Sequence, residues 1–486
     1  MNQKSNMDQI VGTIVGGASG DALGARHEFH PPLTDPSPLH MGSGGAFDWR
    51  KGQWTDDTEQ TIVLLRELAA GHDLLDLDVL DRIARGLVEW AVDATDIGSQ
   101  TRAALTHIAP QHATAQAVTE AAQDHLDVYP TACGNGSLMR TSPVAIAYLD
   151  DEAKMIEAAH VVSRLTHPHV DALDACAIWC VAIRIAITEN RLDIRESIGR
   201  AVTDPVRRAL WNDRIDVAEE AAAVGDIMYN GGAVGALQAA WRAVSAAANA
   251  EDAIEAAVRS GDDTDTVAAI AGALAGARWG VSAIPARWRR FLNGWPYSSA
   301  GDGTPMQYRQ LLTFAYLAGN GGNGTGGHGW PDVESMGGRN RALAKLNNAE
   351  RVYIGAEGDI HDLPDEVDAV VSLSRVGSEF AGDREHVEFW LVDSWDPDSN
   401  PNLRFVLKDA ADTVAALVAE GRTVFLHCVA AHNRTPTVAA MYLALHCGVE
   451  VDDAIRQADE QCGNNGDNMF LRDEVRAIAR EHAWRE

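Results

Sequence analysis

Asp262-Asp263-Thr264-Asp265-Thr266 runs straight into the apolar stretch Val267-Ala268-Ala269-Ile270-Ala271-Gly272-Ala273-Leu274-Ala275-Gly276, which reads as a helix opening on a cluster of acids. A second stretch of the same kind, Thr55-Asp56-Asp57-Thr58, stands about two hundred residues earlier, and Ile62, Leu65 and Leu68 follow it at helical intervals. Capping and dipole complementation explain one acid at a helix start. Two or three at each start point instead to two halves of one metal site. Carboxylates and Thr hydroxyls without a neighbouring Cys/His cluster favour Mg²⁺, Mn²⁺ or Ca²⁺ over Zn²⁺, because hard cations prefer oxygen. Neither stretch has the Asp-x-Asp-x-Asp-Gly pattern of a calcium loop.

The chain of 486 residues is long for one core, so two domains are expected. Its net charge of −30 repels phosphate backbones and anionic lipid, and no Lys/Arg run supplies a local exception. Nucleic acid is therefore expected as a partner only where it is itself a modified substrate, and no membrane partner is expected. No basic stretch leads into a long apolar segment at the start, and nowhere do eighteen apolar residues run together, which predicts a cytoplasmic protein without signal peptide or membrane span. Six cysteines (Cys133, Cys176, Cys180, Cys428, Cys447, Cys462) without a CxxC pair argue against a disulfide framework or zinc ribbon.

From about residue 7 to 290 the sequence is Ala-rich and reads as successive helices, among them 78–92, 152–163, 170–188, 232–249 and 251–258. Glycine density over 319–338 removes ordered elements and marks a linker between a domain 1–318 and a domain 339–486. Beyond it, Arg351-Val-Tyr-Ile-Gly, Ala369-Val-Val-Ser-Leu, His386-Val-Glu-Phe-Trp-Leu-Val and Thr423-Val-Phe-Leu-His read as strands, interleaved with helices at 403–420, 435–446, 451–460 and 470–483. The expected fold is multidomain: an all-α N-terminal domain plus a compact α/β C-terminal domain.

Two further motifs join the acidic stretches: Gly16-Gly-Ala-Ser-Gly20-Asp21-Ala-Leu-Gly24-Ala-Arg-His-Glu28 and Gly134-Asn135-Gly136-Ser137-Leu138-Met139-Arg140. With Leu165-Thr166-His167-Pro168-His169 and Ile284-Pro-Ala-Arg-Trp, this ordered set, spanning about 8–295, resembles the ADP-ribosyl-glycohydrolase family of the dinitrogenase-reductase-activating type. The resemblance implies an all-helical fold with a binuclear Mg²⁺ centre at the bottom of a cleft. It implies Thr55, Asp56, Asp57, Asp263, Asp265 and Thr266 as metal ligands and Glu28 as an acid near the metals. Gly134, Asn135, Gly136, Ser137 and His167 fall at positions that contact ADP-ribose. Asp262 stands where many members carry glycine. Backbone N–H groups of the 134–137 loop are expected to meet the pyrophosphate, which glycine lets approach closely.

His427-Cys428-Val-Ala-Ala-His-Asn-Arg434-Thr435 lies between the strand 423–426 and the helical run from Pro436 to Leu445, the placement a phosphate cradle requires. A helix N-terminus favours the thiolate, and an arginine separated from the cysteine by five residues matches a phosphoryl group in bidentate fashion. From about residue 351 onward the chain resembles the dual-specificity phosphatases of the protein-tyrosine-phosphatase superfamily. Cys428 matches the nucleophile, Arg434 the phosphate-binding arginine and Thr435 the hydroxyl that helps the thiolate depart. The general acid falls on Val392-Asp-Ser-Trp-Asp-Pro-Asp, with Asp396 the best fit and Asp393 and Asp398 open. Ala431 replaces the family's usual glycine, and a Cβ there is expected to strain the loop.

Together these features predict a bifunctional hydrolase: Mg²⁺-dependent cleavage of the ribosyl C1″ bond of an ADP-ribosylated protein or small molecule, and Cys-dependent hydrolysis of a phosphorylated substrate. Two alternatives stay open at this point. One is a regulatory protein that binds ADP-ribosylated or phosphorylated partners without turnover; the other is a hydrolase of another small ribosyl or nucleotide compound on the same scaffold.

Overall fold

In the computed structural model, which describes residues 6–298, 303–323, 342–377, 380–463 and 467–483, the chain divides into two units: Met1–Ile284 with Phe291–Gly324, and Pro285–Arg290 with Thr325–Glu486. The glycine-rich stretch read as a linker lies, from residue 324 on, outside the described residues.

Small residues four apart organise the first unit. Helices Met7–Gly24 and Thr264–Trp279 run antiparallel with their backbones almost touching. A Cβ on Gly12 would lie 2.5 Å from Gly276 O, one on Gly16 2.2 Å from Gly272 O, one on Gly20 2.0 Å from Ala268 O, and one on Gly24 2.6 Å from Asp265 Cα. No side chain fits between them, so ordinary ridge-into-groove spacing gives way to direct backbone contact. The last turn of one helix, carrying Asp21, is thereby laid beside the first turn of the other, carrying Asp265. Helix Val170–Glu189 is buried without a break from Ala172 to Ile183, the mark of a core helix with no polar face, and it ends on Asn190 in the left-handed region (φ 52°).

Among the described residues this unit is not wholly helical. An antiparallel hairpin, β1 (Asn293–Tyr297) and β2 (Pro305–Gln307), departs from the all-helical expectation. Buried Trp54 ties down β1, donating its backbone N–H to Asn293 O at 3.0 Å and its indole N–H to Trp295 O at 2.9 Å. The run read as one helix over 232–249 ends at Ser245, since Asn249 caps the next helix by accepting the Asp252 N–H at 2.8 Å.

In the second unit a five-stranded sheet has the order β3 (Ala344–Lys345), β4 (Val352–Ala356), β7 (Val424–Cys428), β5 (Ala369–Ser372), β6 (Glu385–Glu388), parallel except for β3. Helices Leu403–Ala419, Arg434–His446, Val451–Gln461 and Met469–Ala483 accompany it, and Val371, Leu426, Leu407, Val414 and Val438 share its main core. Central strand β7 is buried throughout and delivers Cys428 at its carboxyl end, where open parallel sheets place their ligands. The 1–318 boundary needs correction: Pro285–Arg290 belongs to this unit, where the Ala286 N–H donates to Asp409 Oδ2 at 2.9 Å and buried Arg289 donates to Glu388 O at 2.6 Å. Among the described residues no helix is long and apolar enough to cross a membrane.

Candidate functional site

Asp21 is fully buried and caps a helix that is not its own. It accepts the N–H groups of Thr55 (2.9 Å) and Thr58 (3.0 Å) and their hydroxyls (2.9 and 2.6 Å). Thr55, at the N-cap of helix Asp56–Ala69, makes no capping bond itself, so Asp21 satisfies orphan donors of that first turn. Carboxylate oxygens of Asp21, Asp57 and Asp265 consequently lie within 4.8 Å of one another, and those of Glu28, Asp96 and Asp265 form a second such group. Thr266 donates to Asp57 Oδ2 at 3.3 Å, and the Thr55 hydroxyl stands 3.1 Å from the same oxygen. The two acidic stretches thus converge in space.

Crowding and burial perturb these acids in one direction. Burial, then neighbouring carboxylates, hold Asp56, Asp57 and Asp265 well above the usual carboxylate range. Burial and then the charges of Asp96, Asp263 and Asp21 raise Glu28 to about 8, while burial raises Asp21 to about 6 against the hydrogen bonds from Thr58 and Thr55. Two oxygens, Asp57 Oδ1 and Glu28 Oε2, are buried without any hydrogen-bond partner. A set of oxygen donors with buried, unsatisfied lone pairs and mutual repulsion fits hard dications, whose charge removes both penalties.

Glu28, Asp56, Asp96, Asp263, Asp265 and Thr266 border a cleft of about 500 Å³. The turn carrying Glu28 is tied to the second acidic stretch: Phe29 N–H donates to Asp262 O at 2.7 Å, and Asp262 N–H to His30 O at 2.8 Å. Asp262 itself is exposed and sits at φ +53°, a backbone region that favours glycine. It shapes the turn and belongs to neither carboxylate group.

Gly134, Asn135, Gly136 and His167 line another wall of the cleft. Asn135 Nδ2 donates to Asp263 Oδ2 at 2.7 Å, joining this loop to the acids. The Gly134 N–H is committed to Gln100 Oε1 at 3.0 Å, so it is not offered to a ligand as expected. Ser137 also departs from expectation. Buried beneath the loop, its hydroxyl accepts from Ser163 Oγ at 2.8 Å and it does not border the cleft. His167 is buried under Gly134 and Gly136, and that burial holds it well below the ordinary histidine range, hence neutral. Asp21, Asp96 and Gln100 are the residues here that sequence reading did not assign. Only the four-residue glycine spacing leading to Asp21 offered a signal.

In the second unit, Cys428 is buried at the end of β7 and Arg434 begins the next helix, with the loop 429–433 between them. Arg434 Nη1 donates to Leu391 O at 2.9 Å and Leu373 O at 3.2 Å. The Thr435 hydroxyl donates to Gly355 O at 3.2 Å. Ala431 adopts φ +54°, the left-handed conformation expected of a glycine position. Asp396 makes no hydrogen bond to the loop among the described residues: it is exposed and caps the short turn Pro397–Ser399 by accepting the Asp398 N–H at 3.1 Å. Asp393 takes that place instead, accepting from Asn433 Nδ2 at 3.2 Å and Asn468 Nδ2 at 3.2 Å.

A profile of the ADP-ribosylglycohydrolase family matches residues 2–312. The chain is 30% identical over 291 residues to the ADP-ribosylarginine hydrolase Tri1 of Pseudomonas putida, covering 58% of this chain and 73% of that protein. It is 29% identical over 296 residues to the ADP-ribosyl-dinitrogen-reductase glycohydrolase of Rhodospirillum rubrum, covering 59% and 91%. A solved structure described as an ADP-ribosylglycohydrolase-related protein complex is 29% identical, with a TM-score of 0.49 over 66% of this chain and 100% of that one. On the family match, which takes in most of its length and both acidic stretches, the chain belongs to the ADP-ribosylglycohydrolase family.

Proposed function

We propose that the helical unit is a metal-dependent ADP-ribosyl hydrolase that cleaves the C1″ bond between ADP-ribose and an ADP-ribosylated group. The observation that carries this reading is the convergence of Asp57 and Glu28, each with a buried unpartnered oxygen, in two carboxylate groups that share Asp265, the group of Glu28, Asp96 and Asp265 bordering the cleft. Thr55, Asp56, Asp57, Asp263, Asp265 and Thr266 are the proposed ligands. When bound, a pair of Mg²⁺ ions supplies charge to orient the ribose hydroxyls, activate a water and offset the developing oxocarbenium charge. The residues of the chain do the rest. Asn135 holds Asp263, the 134–136 loop and His167 form the wall that receives the nucleotide, and Glu28 is placed to hold a proton beside the bond that breaks.

Arginine-linked ADP-ribose is the first substrate class to try, since the relative from Pseudomonas putida is an ADP-ribosylarginine hydrolase. Serine-linked, nucleic-acid-linked and free metabolite conjugates are the comparison arms. Release of free ADP-ribose with Mg²⁺, and its loss with chelator, is the expected result; tight binding without release from any of these substrates favours the regulatory reading instead.

For the α/β unit we propose phosphate-ester hydrolysis with Cys428 as nucleophile and Arg434 as phosphate clamp. Support comes from the strand–loop–helix placement of Cys428 and Arg434, and from Asp393 at the loop as the candidate acid. Asp263→Ala is expected to abolish ADP-ribose release alone, and Cys428→Ser to abolish p-nitrophenyl phosphate hydrolysis alone. Loss of both activities from either change contradicts two separate sites.

A further inference from the structure

Arg140 has no exposed surface, and a guanidinium carries only N–H donors. Its Nη1 donates to Gln60 Oε1 at 2.5 Å and Gly136 O at 3.1 Å, and its Nη2 to Thr166 Oγ1 at 2.6 Å. A group that only donates fixes the direction of every bond beyond it. Gln60 must turn its carbonyl toward Arg140, so its amide nitrogen is the end that donates to Asp56 Oδ2 at 3.2 Å. Thr166, already an acceptor, stands 2.7 Å from His167 Nδ1 and has no other acceptor for its hydroxyl hydrogen among the described residues. Leaving that hydrogen unused inside the protein would cost a buried unsatisfied donor.

We infer that Arg140 is a positioning residue that, through Thr166, holds His167 as the Nε2–H tautomer and, through Gln60, aims Asp56 at the cleft. His167 therefore presents a neutral hydrogen-bond donor on the cleft side. Its Nε2 lies where a Cβ on Gly134 or Gly136 would come within 3.3 or 3.1 Å, so the two glycines leave the nitrogen uncovered. Burial lowers Arg140 only to about 10, and it remains a cation at neutral pH. The ligand atom such a donor takes is an acceptor oxygen. A diphosphate or ribose oxygen of ADP-ribose qualifies, and in this the inference rests on the reading of the cleft given above.

The test uses the full chain with ¹⁵N-labelled histidine, the His167 ring being assigned by its loss in His167→Gln. The wild-type ring is expected to carry its proton on Nε2, with Nδ1 as an unprotonated acceptor. Thr166→Val keeps the volume and removes the hydroxyl. It is expected to give a mixture of tautomers and to weaken ADP-ribose binding about five- to tenfold, the worth of one oriented hydrogen bond. Thr166→Ser should restore both. A wild-type ring protonated on Nδ1 overturns the inference without any variant having to fold, and so does a Thr166→Val ring indistinguishable from wild type. A wild-type chain that binds no ADP-ribose overturns the functional reading of the cleft and not the tautomer, which the ring spectrum decides by itself.

Discussion

Gly16 and Gly272 meet backbone to backbone: a Cβ built on either would sit 2.2 Å from the other's carbonyl oxygen. Gly16→Ala or Gly272→Ala must push the two helices apart and with them Asp21 and Asp265. Overpacking of this kind costs about 1–3 kcal/mol, and more where backbone is the obstacle. Gly17→Ala is the control, because its Cβ would lie 3.4 Å from the nearest atom, Ala269 O, and replacing a helical glycine contributes about 0.5–1 kcal/mol of stability. Thermal unfolding and ADP-ribose release should both fall for the first two variants and hold for the third. Equal behaviour of Gly16→Ala and Gly17→Ala would remove the glycine stripe as the device that assembles the site.

Asp57→Asn should stabilise the chain in chelator while disabling it in Mg²⁺. Asp57 is buried, held well above the ordinary carboxylate range by burial and by Asp21 and Asp263, and keeps one oxygen unpartnered. Neutralising it relieves both charge crowding and the cost of an uncompensated lone pair. A wild-type chain gains stability from a bound cation by mass action, and the variant should gain little. Melting curves with and without Mg²⁺ read both effects. A variant that melts lower than wild type in chelator, or gains as much from Mg²⁺, contradicts the account.

Much of this was open to reading in the chain itself, for reasons that can be traced residue by residue. Asp56 and Thr264 begin helices as expected, because a cluster of acids followed by a periodic apolar run is a local pattern. Strands β4, β5 and β7 lie within a residue of their expected starts for the same reason. Asp21 was not legible as a hub, since its partners Thr55 and Thr58 are supplied by another helix. Spacing from Cys428 hardly separates Asp393 from Asp396, and only the folded loop brings Asn433 to Asp393. Ser137 falls at a position that the resemblance assigns to the ADP-ribose, yet side-chain direction turns it toward Ser163. Nor does a short segment such as Pro285–Arg290 declare its unit, because the partners Asp409 and Glu388 lie far along the chain.

Ala431→Gly should make the phosphate loop easier to hold. An L-residue with a Cβ at φ +54° costs about 1–2 kcal/mol, of which glycine's greater freedom in the unfolded chain returns part. A net stabilisation of up to about 1 kcal/mol is expected, together with faster p-nitrophenyl phosphate turnover that still requires Cys428. Slower turnover in Ala431→Gly would mean that the alanine conformation is part of the working loop rather than a strain on it.

Glu388 makes the α/β unit sensitive to pH. Its carboxylate is buried and accepts from the Val376 N–H at 3.0 Å and the Trp390 indole at 3.2 Å. Burial outweighs those bonds and the neighbouring Arg375 and Arg289, and raises it from 4.5 to about 7. Between those two values the folded chain holds a proton that the unfolded chain has released. Stability must therefore fall as pH rises from 4.5 to 7 and stay reduced above it, by at most about 3 kcal/mol. Glu388→Gln cannot titrate. Whatever fixed cost its amide carries against the Val376 and Trp390 donors, the variant should gain on wild type steadily across that window. Hydrogen exchange of the β5 and β6 amides, corrected for intrinsic rates and measured at pH 5 and pH 8, reads the difference directly. If the gap between wild type and Glu388→Gln is the same at both pH values, Glu388 is ionised in the folded chain throughout, and the bonds from Val376 and Trp390 outweigh its burial.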